Sequence, residues 1–334
     1  MRANATKSGS VQLGCLLPTR GLLLEDDKPT DAESVLRLAT WAEEAGLDSV
    51  WVGDSLTAKP RLEAMTTLAA IAARTSRVRL GTAVMLMALR HPVLLAQMVG
   101  TVDLISGGRL QLGVGVGGAF NAMQQAEWRN AQVNQRTRAP RLEEMMQVIK
   151  GLGNQEPFSF AGRHFELDDV VMQPTPVQDN GVPVYLGVHW HGRGDGQGAQ
   201  RERQARRAAR LADGIISISA TTDEFVELNE TVDSYCAEYG RDSDEMSSVM
   251  YMTVNMDEDI KRAEAEAEDW LLGYYGANIW GDRWGPFGGA ERVRERIHAY
   301  TEAGADQVVV RFASYRQEEQ MQTFLEQVAP DFTR

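Results

Sequence analysis

The chain has 334 residues, of which 43% are hydrophobic and 24% charged, and carries a formal net charge of −13. So acidic a balance argues against a surface built for nucleic acid or anionic membranes, both of which reward a basic face. The length suits one large barrel, where roughly 250 residues is typical, and would equally suit two small domains. Two cysteines, Cys15 and Cys236, stand far apart in no metal-ligand spacing. A disulfide framework and a cysteine metal centre are therefore not expected, and a reducing setting is the default. The first ten residues hold no apolar h-region and no apolar run of membrane length follows, so the expected location is the cytoplasm.

Residues 11 to 17 form a short apolar run ended by Pro18, a first strand. Thr30 and Glu33 have capping-box spacing, and Val35, Leu38, Ala42 and Ala45 follow at helical spacing until Gly46 ends the helix. Residues 49 to 52 are the second strand, with Asp54 and Ser55 just beyond it. A helix over 61 to 75 turns Leu62, Met65, Leu68 and Ala72 inward. A third strand over 78 to 87 meets His91-Pro92, and proline at a first helical position lacks only an N–H that would be unpaired there. The helix that follows stops at Gly107-Gly108, and a fourth apolar run begins at Leu110. Two short apolar runs joined by a helical segment make a βαβ unit, hence a parallel sheet.

That fourth strand runs out into Gly113, Gly115, Gly117 and Gly118, which remove side chains where a ligand or another backbone must come close. Their spacing does not match a dinucleotide fingerprint. Beyond them, 119 to 138 reads as a polar insertion, 141 to 152 as a helix and 157 to 178 as an irregular excursion with short strands. Further strands are expected at 183 to 188, 215 to 218, 249 to 254 and 307 to 312, which brings the count to eight. Helices are expected at 201 to 213, 223 to 239, 258 to 274, 291 to 303 and 317 to 328, with another excursion at 274 to 289. A weak repeat supports the same architecture: EAGLDSVWV from Glu44 is echoed by EAGADQVVV from Glu302 and, more loosely, by LADGII from Leu211. Each is a helix end, a glycine turn, an acid and a strand, and recurrence of one unit favours (βα) repetition over two unlike domains.

In such barrels ligands bind at the carboxyl ends of the strands. The candidates are then Pro18, Thr19, Asp54, Ser55, Thr82 to Met85, Gly115 to Gly118, Val188 to His191, Ser217 to Ala220, Asn255, Arg311 and Ser314. The loop after Val188 is glycine-rich, and its backbone N–H groups with Arg193 and Gly194 would cradle a phosphate ahead of a helix amino end. His189 and His191 either act as general bases, hydrogen-bond an oxygenated ring or simply line a wall. Asp54 either orients substrate or caps its own loop. Trp280, Arg283 and Trp284 either cover the mouth or pack on the scaffold. The arginines farther along the helix, Arg203 and Arg210, are read as surface ion-pair formers.

The run Gly81-Thr82-Ala83-Val84, then Leu89-Arg90-His91-Pro92, Leu95-Ala96, Asp103, Ser106 to Arg109 and Leu112 to Gly117 closely resembles the bacterial luciferase-like family of flavin-dependent oxidoreductases. The resemblance implies a (β/α)8 TIM barrel spanning 1 to 334 as one domain, with insertions in its βα loops. It implies reduced FMN or, alternatively, the deazaflavin coenzyme F420, bound without a covalent bond at the mouth. Thr82, Ala83 and Val84 would pack behind the isoalloxazine ring, where a bulge is the feature to look for. Gly115, Gly117, Gly118, Gly187 and Val188 would line the cofactor, with its phosphate near Arg193 and Gly194. His189, His191 and Asp54 would be the catalytic candidates, and Ser55, Trp280 and Trp284 would face the substrate.

Two departures stand out. Many relatives carry histidine where Ser55 stands, and those that oxidise a sugar phosphate through the deazaflavin carry glutamate where Gly118 stands. The leading expectation is a monooxygenase using reduced FMN and dioxygen on a small, moderately apolar molecule, supplied by a separate flavin reductase and working as a homodimer. The alternatives are an F420-dependent hydride-transfer enzyme and a flavin-binding protein without turnover.

Overall fold

The structure is a computed structural model and describes residues 11–25, 28–189, 198–218, 221–276 and 283–333. Among these residues eight parallel strands close into a barrel in which β1 (Gln12–Leu16) lies between β2 (Ser49–Val52) and β10 (Gln307–Phe312). The ring continues from β10 through β9 (Ser247–Val254), β8 (Gly214–Ile218), β7 (Val184–Gly187), β4 (Leu110–Val114) and β3 (Arg79–Met85) back to β2. All eight expected strands are these strands. In this ring β7 stands across from β1, and β4 across from β10.

The strands bury both faces, as a parallel sheet covered by helices must. Every other residue points into the barrel, where Leu16, Trp51, Tyr185, Ile216, Val249, Tyr251 and Val309 form a cluster of their own. The large Trp51 ring fits because Gly81 beside it has no side chain: a Cβ there would overlap the indole. Each such fully buried large side chain contributes about 1.5–3 kcal/mol. A second, larger cluster fills the space between strands and helices.

The outer layer includes α2 (Glu33–Glu44), α3 (Ala64–Ala72), α4 (Pro92–Ser106), α6 (Arg138–Gly151), α7 (Gly198–Leu211) and α8 (Thr222–Glu238). It continues with α9 (Ile260–Tyr275), α10 (Ala290–Glu302) and α11 (Gln317–Gln327). Helix α4 begins at Pro92 and ends on Gly107, whose φ of 67° is the left-handed cap expected there. His91 precedes it, but its side chain makes no capping bond. No helix among the described residues is long and apolar enough to cross a membrane.

Two local expectations need correction. The Thr30–Glu33 capping box does not form: Ala32 is the cap residue, and the Glu33 N–H donates to Asp31 Oδ1 at 2.9 Å instead. The insertion at 119 to 138 contains a helix, α5 (Ala122–Asn130), capped by Asn121. It escaped the periodicity argument because Trp128 is its only fully apolar buried residue. A short α1 (Gly21–Glu25) also follows β1. The excursion at 157 to 178 does carry short strands, the antiparallel hairpin β5 (Phe158–Ala161) and β6 (Glu166–Val170).

The repeated acids of the sequence share one job. Asp48 Oδ2 accepts the Leu13 N–H at 2.8 Å, Asp213 Oδ2 that of Val184 at 3.0 Å and Asp306 Oδ2 that of Ser248 at 2.8 Å. Each acid thus satisfies the first free donor of the neighbouring strand, at the amino-terminal rim. That rim serves stability and leaves the opposite end for chemistry.

Candidate active site

At the carboxyl-terminal end of the strands, β3 departs from regular pairing. Its register with β4 shifts between Thr82 and Met85, and the Ala83–Val84 peptide bond is cis. This is the bulge anticipated for the segment. It leaves the Ala83 and Val84 side chains partly exposed, while Thr82 is fully buried and its hydroxyl donates to the Gly113 carbonyl at 2.8 Å. Thr82 can therefore address a ligand only through its backbone.

Glycines meet this bulge from the next two strands. A Cβ on Gly113 would overlap the Thr82 carbonyl, and one on Gly115 would sit 2.7 Å from Val84 Cγ2. A Cβ on Gly187 would lie 3.7 Å from Val84 Cγ1 and 3.8 Å from the Gly115 Cα. Val84, Gly115 and Gly187 thus share one sector of the rim, with His189 two residues further along. His189 is exposed, and its N–H donates to Gln204 Oε1 at 3.0 Å. Val188 turns into the core, its N–H held by the Ile216 carbonyl at 3.0 Å, so no side-chain surface of it faces the mouth. Trp190, His191, Arg193, Gly194, Ser219, Ala220 and Trp280 lie outside the described residues.

Gly117 and Gly118 are anchored from the insertion that follows. The Gly118 carbonyl accepts from Trp128 Nε1 at 2.8 Å and the Gly117 carbonyl from Arg138 Nε at 3.1 Å. Gly117 has φ 77°, and a Cβ on it would press on the Trp128 ring at 2.8 Å. Here glycine is required by backbone conformation and by a close neighbour together.

Asp54 and Ser55 are both buried and both engaged by protein groups. Arg90 clasps the Asp54 carboxylate in a fork, Nη1 to Oδ2 at 2.7 Å and Nη2 to Oδ1 at 2.8 Å, and Oδ2 also accepts the Leu86 N–H. The pair ties the β2 loop to the turn after the bulge. Ser55 donates to Glu127 Oε1 at 2.7 Å, and the same oxygen accepts the N–H groups of Leu56, Thr57 and Ala58. Glu127, on α5, therefore fixes the shape of the loop that carries Lys59. In this geometry Asp54 positions the bulge, and neither Asp54 nor Ser55 presents a free side-chain group.

Across the barrel stands a different surface. Arg311, the fifth residue of β10, is buried, donates through Nε and Nη2 to Thr253 Oγ1 at 3.1 and 2.7 Å, and donates through Nη1 to the Tyr275 hydroxyl. Its guanidinium carbon lies 4.8 Å from the Trp284 ring centre and 5.2–5.3 Å from those of Tyr251, Trp270, Tyr274 and Tyr275. Arg20 and Arg61 sit 5.2 and 5.6 Å from the Tyr274 ring, and Lys59 Nζ is 4.3 Å from that of Tyr275. Burial, reinforced by Arg61, Arg20 and Arg311, pushes the Lys59 ammonium down to about 8. Burial alone would raise the Tyr274 phenol, yet Arg61, Arg311 and Arg20 together hold it below its ordinary value.

Trp284 is thus part of the scaffold around Arg311, stacked on Tyr275 at 5.9 Å, and Arg283 pairs with Glu224 on α8. Of this group the strand-end rule singled out Arg311 and the aromatic content singled out Trp284. Arg20, Lys59, Arg61, Tyr251, Tyr274 and Tyr275 come from scattered positions that no local pattern joins. Behind the glycine sector, Arg207 and Arg210 pair with Glu143 at 2.8 and 2.5 Å, and Arg206 with Glu238 at 2.8 Å, while Arg203 is exposed. Cys15, in β1, is fully buried and pushed up to about 12 by that burial, which makes it inert.

The glycines let the bulge pack tightly on its neighbours: Val84 occupies the space beside Gly115 and Gly187 that side chains would fill. The comparisons agree with this geometry. The family model for luciferase-like monooxygenases matches residues 11–285. An F420-dependent glucose-6-phosphate dehydrogenase of Nakamurella multipartita is 31% identical over 70% of this chain and 66% of its own length. Its counterpart from Microbacterium testaceum is 30% identical over 71% and 68%. A 5,10-methylenetetrahydromethanopterin reductase of Methanopyrus kandleri is 25% identical over 72% and 66%. The match thus spans about two thirds of the length of these relatives.

Among solved structures, an F420-dependent secondary alcohol dehydrogenase superposes with a TM-score of 0.77 at 20% identity, covering 97% of this chain and 100% of its own. A monooxygenase from Streptomyces bottropensis does so with the same TM-score at 21% identity, covering 97% and 100%. At such identities these two speak for the fold. Motif block, barrel, rim and family match converge, and the chain is a member of the luciferase-like monooxygenase family of oxidoreductases.

Proposed function

We propose that this protein is a deazaflavin-dependent oxidoreductase that moves a hydride between coenzyme F420 and a small organic substrate. The observation that carries this reading over the FMN-dependent one is the naming of the sequence relatives, which are F420-dependent dehydrogenases and a reductase. When bound, the deazaflavin supplies a two-electron carrier that exchanges hydride and does not activate dioxygen. The bulge at Ala83 and Val84, packed against Gly115 and Gly187, would support one face of its ring, and the segment beginning at His189 would meet its phosphate. His189, exposed just past the end of β7, would exchange a proton with substrate there. Sugar-phosphate oxidation is not part of the proposal, because Gly118 stands where relatives with that activity carry glutamate and Ser55 where many relatives carry histidine.

A monooxygenase using reduced FMN from a separate reductase is the second reading, favoured by the family description and by monooxygenases among the similar folds. A homodimer belongs to either reading, and the exposed Leu94, Leu104 and Ile105 of α4 offer apolar surface for it. Titration of the purified protein with F420 and with FMN, oxidised and reduced, separates the readings. Saturable F420 binding with weak FMN binding, and no oxygen uptake across a substrate panel, is expected. Tight reduced-FMN binding with substrate-dependent oxygen uptake overturns the proposal. Cofactor bound without any turnover marks a binding protein.

A further inference from the structure

We infer that the half of the mouth formed by β1, β2 and β10 is a binding site for an oxyanion on the substrate, a carboxylate, sulfonate or phosphate, gripped by Arg20, Lys59, Arg61 and Arg311. This deepens the proposed function and rests on its reading of the mouth as the active site. Three guanidinium carbons lie within 5.6 Å of the single Tyr274 ring centre, and Lys59 Nζ caps the adjoining Tyr275 ring. None of the four makes an ion pair with a carboxylate among the described residues. The ion pairs nearby run instead from Arg90 to Asp54 and from Arg283 to Glu224.

Charge withdrawn from water is ordinarily paired, because desolvating an ion costs free energy; Arg311 is buried here, and Arg20, Lys59 and Arg61 are half-buried. Aromatic faces offset part of that, about 0.5–2 kcal/mol per contact, but neutralise nothing. A single cation among the tyrosines would complete an aromatic box. Gathering four in a chain of net charge −13 selects for something that arrives with negative charge. Arg311 spends its donors on Thr253 and Tyr275 and Arg61 also bonds Tyr274, but the other donors meet only neutral partners. Arg20 Nε is buried without a hydrogen-bond partner among the described residues, and Arg61 Nε and Arg20 Nη1 serve only the carbonyls of Lys59 and Pro60. Guanidinium forks match the geometry of carboxylate and phosphate oxygens.

Position separates this site from the cofactor's. The glycines of the cofactor sector lie on β4 and β7, which face β10 and β1 across the ring, while its bulge on β3 adjoins β2 and stands close to Arg61. An anion held at Arg311 therefore leaves the cofactor sector free. It would also hold the rest of the substrate over the ring, so charge acts here as a positioning device.

Lys59 gives a direct readout. The charged groups acting on it are Arg61, Arg20, Arg311 and, in the opposite sense, Glu127, whose Oε1 is already taken up by the loop. An arriving anion raises the Lys59 value, and by the same linkage anion affinity falls once pH climbs past about 8, where Lys59 loses its charge. The experiment uses inorganic phosphate, sulfate and acetate as probes, titrated calorimetrically into the full chain near pH 7 and near pH 9.5, with and without saturating F420. Titration of the Lys59 Cε signal by NMR in the unmodified protein accompanies it.

Saturable binding that persists with F420 bound, weakens at the higher pH and raises the Lys59 value is the expected result. Lys59→Met and Arg61→Gln, both at half-buried positions, should each weaken binding about tenfold or more. Failure of all three probes to saturate, loss of binding when F420 saturates, or undiminished binding in both variants overturns the inference. F420 binding recorded in the same solutions keeps the two readings apart. F420 bound with no anion site removes this inference alone, whereas an anion site dependent on Lys59 and Arg61 with no cofactor bound upholds it and removes the proposed function.

Discussion

Asp54 illustrates how a residue at a strand end acquires its role from a partner far along the chain. Its carboxylate is nearly sealed from solvent and held by Arg90 in two parallel hydrogen bonds, so it is a positioning group for the bulge. Removing one member of a buried pair leaves the other charge unmatched, at a cost of about 3–5 kcal/mol. Asp54→Asn is therefore expected to lower the denaturation midpoint strongly and to weaken cofactor binding through the displaced bulge. Urea unfolding and F420 titration check this together, and a large loss of turnover at unchanged stability and affinity would instead make Asp54 a catalytic group. From sequence it was legible that Asp54 and Ser55 lie at the mouth. That their partners are Arg90 and Glu127, 36 and 72 residues away, was not, because only chain folding brings those groups together.

At the scale of elements, the repeat anchored by Asp48, Asp213 and Asp306 shows a short pattern carrying a physical job. Each acid closes a helix-to-strand turn and takes the first free N–H of the adjacent strand. Asp306→Ala leaves the Ser248 N–H unmatched and is expected to cost about 1–2 kcal/mol of stability while leaving anion and cofactor affinity unchanged, since it lies at the rim opposite the mouth. Thermal unfolding beside cofactor titration measures both, and a change in affinity alone would contradict the assignment. The strands were readable because each is a short, largely apolar run set off by glycine, proline or acidic turns. Helix α5 was not, because its contacts with Gly118 and the 55–58 loop are made by Trp128 and Glu127 rather than by an apolar stripe.

For the molecule as a whole, closure is the decisive event. Strand β10 pairs with β1 on one side and β9 on the other, so the two ends of the chain meet only when the barrel is complete. Truncation after Asp306 would remove β10 and α11, expose two strand edges and carry away Arg311 with the anion site. The expected outcome is a chain without a cooperative unfolding transition, checked by calorimetry and size-exclusion chromatography. A folded, cooperative truncated protein would show that closure is dispensable.

By itself the sequence determined the succession of strands and helices, the glycine-lined rim and the family, because periodicity, turn chemistry and a contiguous motif block are properties of near neighbours along the chain. Tertiary structure alone decided that Thr82 and Val188 turn away from the mouth, that Asp54 belongs to Arg90, and that residues 20, 59, 61, 274, 275 and 311 form one cationic and aromatic wall. Side chains so distant in sequence leave no local signature, and it is ring closure that sets which of them face each other across the barrel.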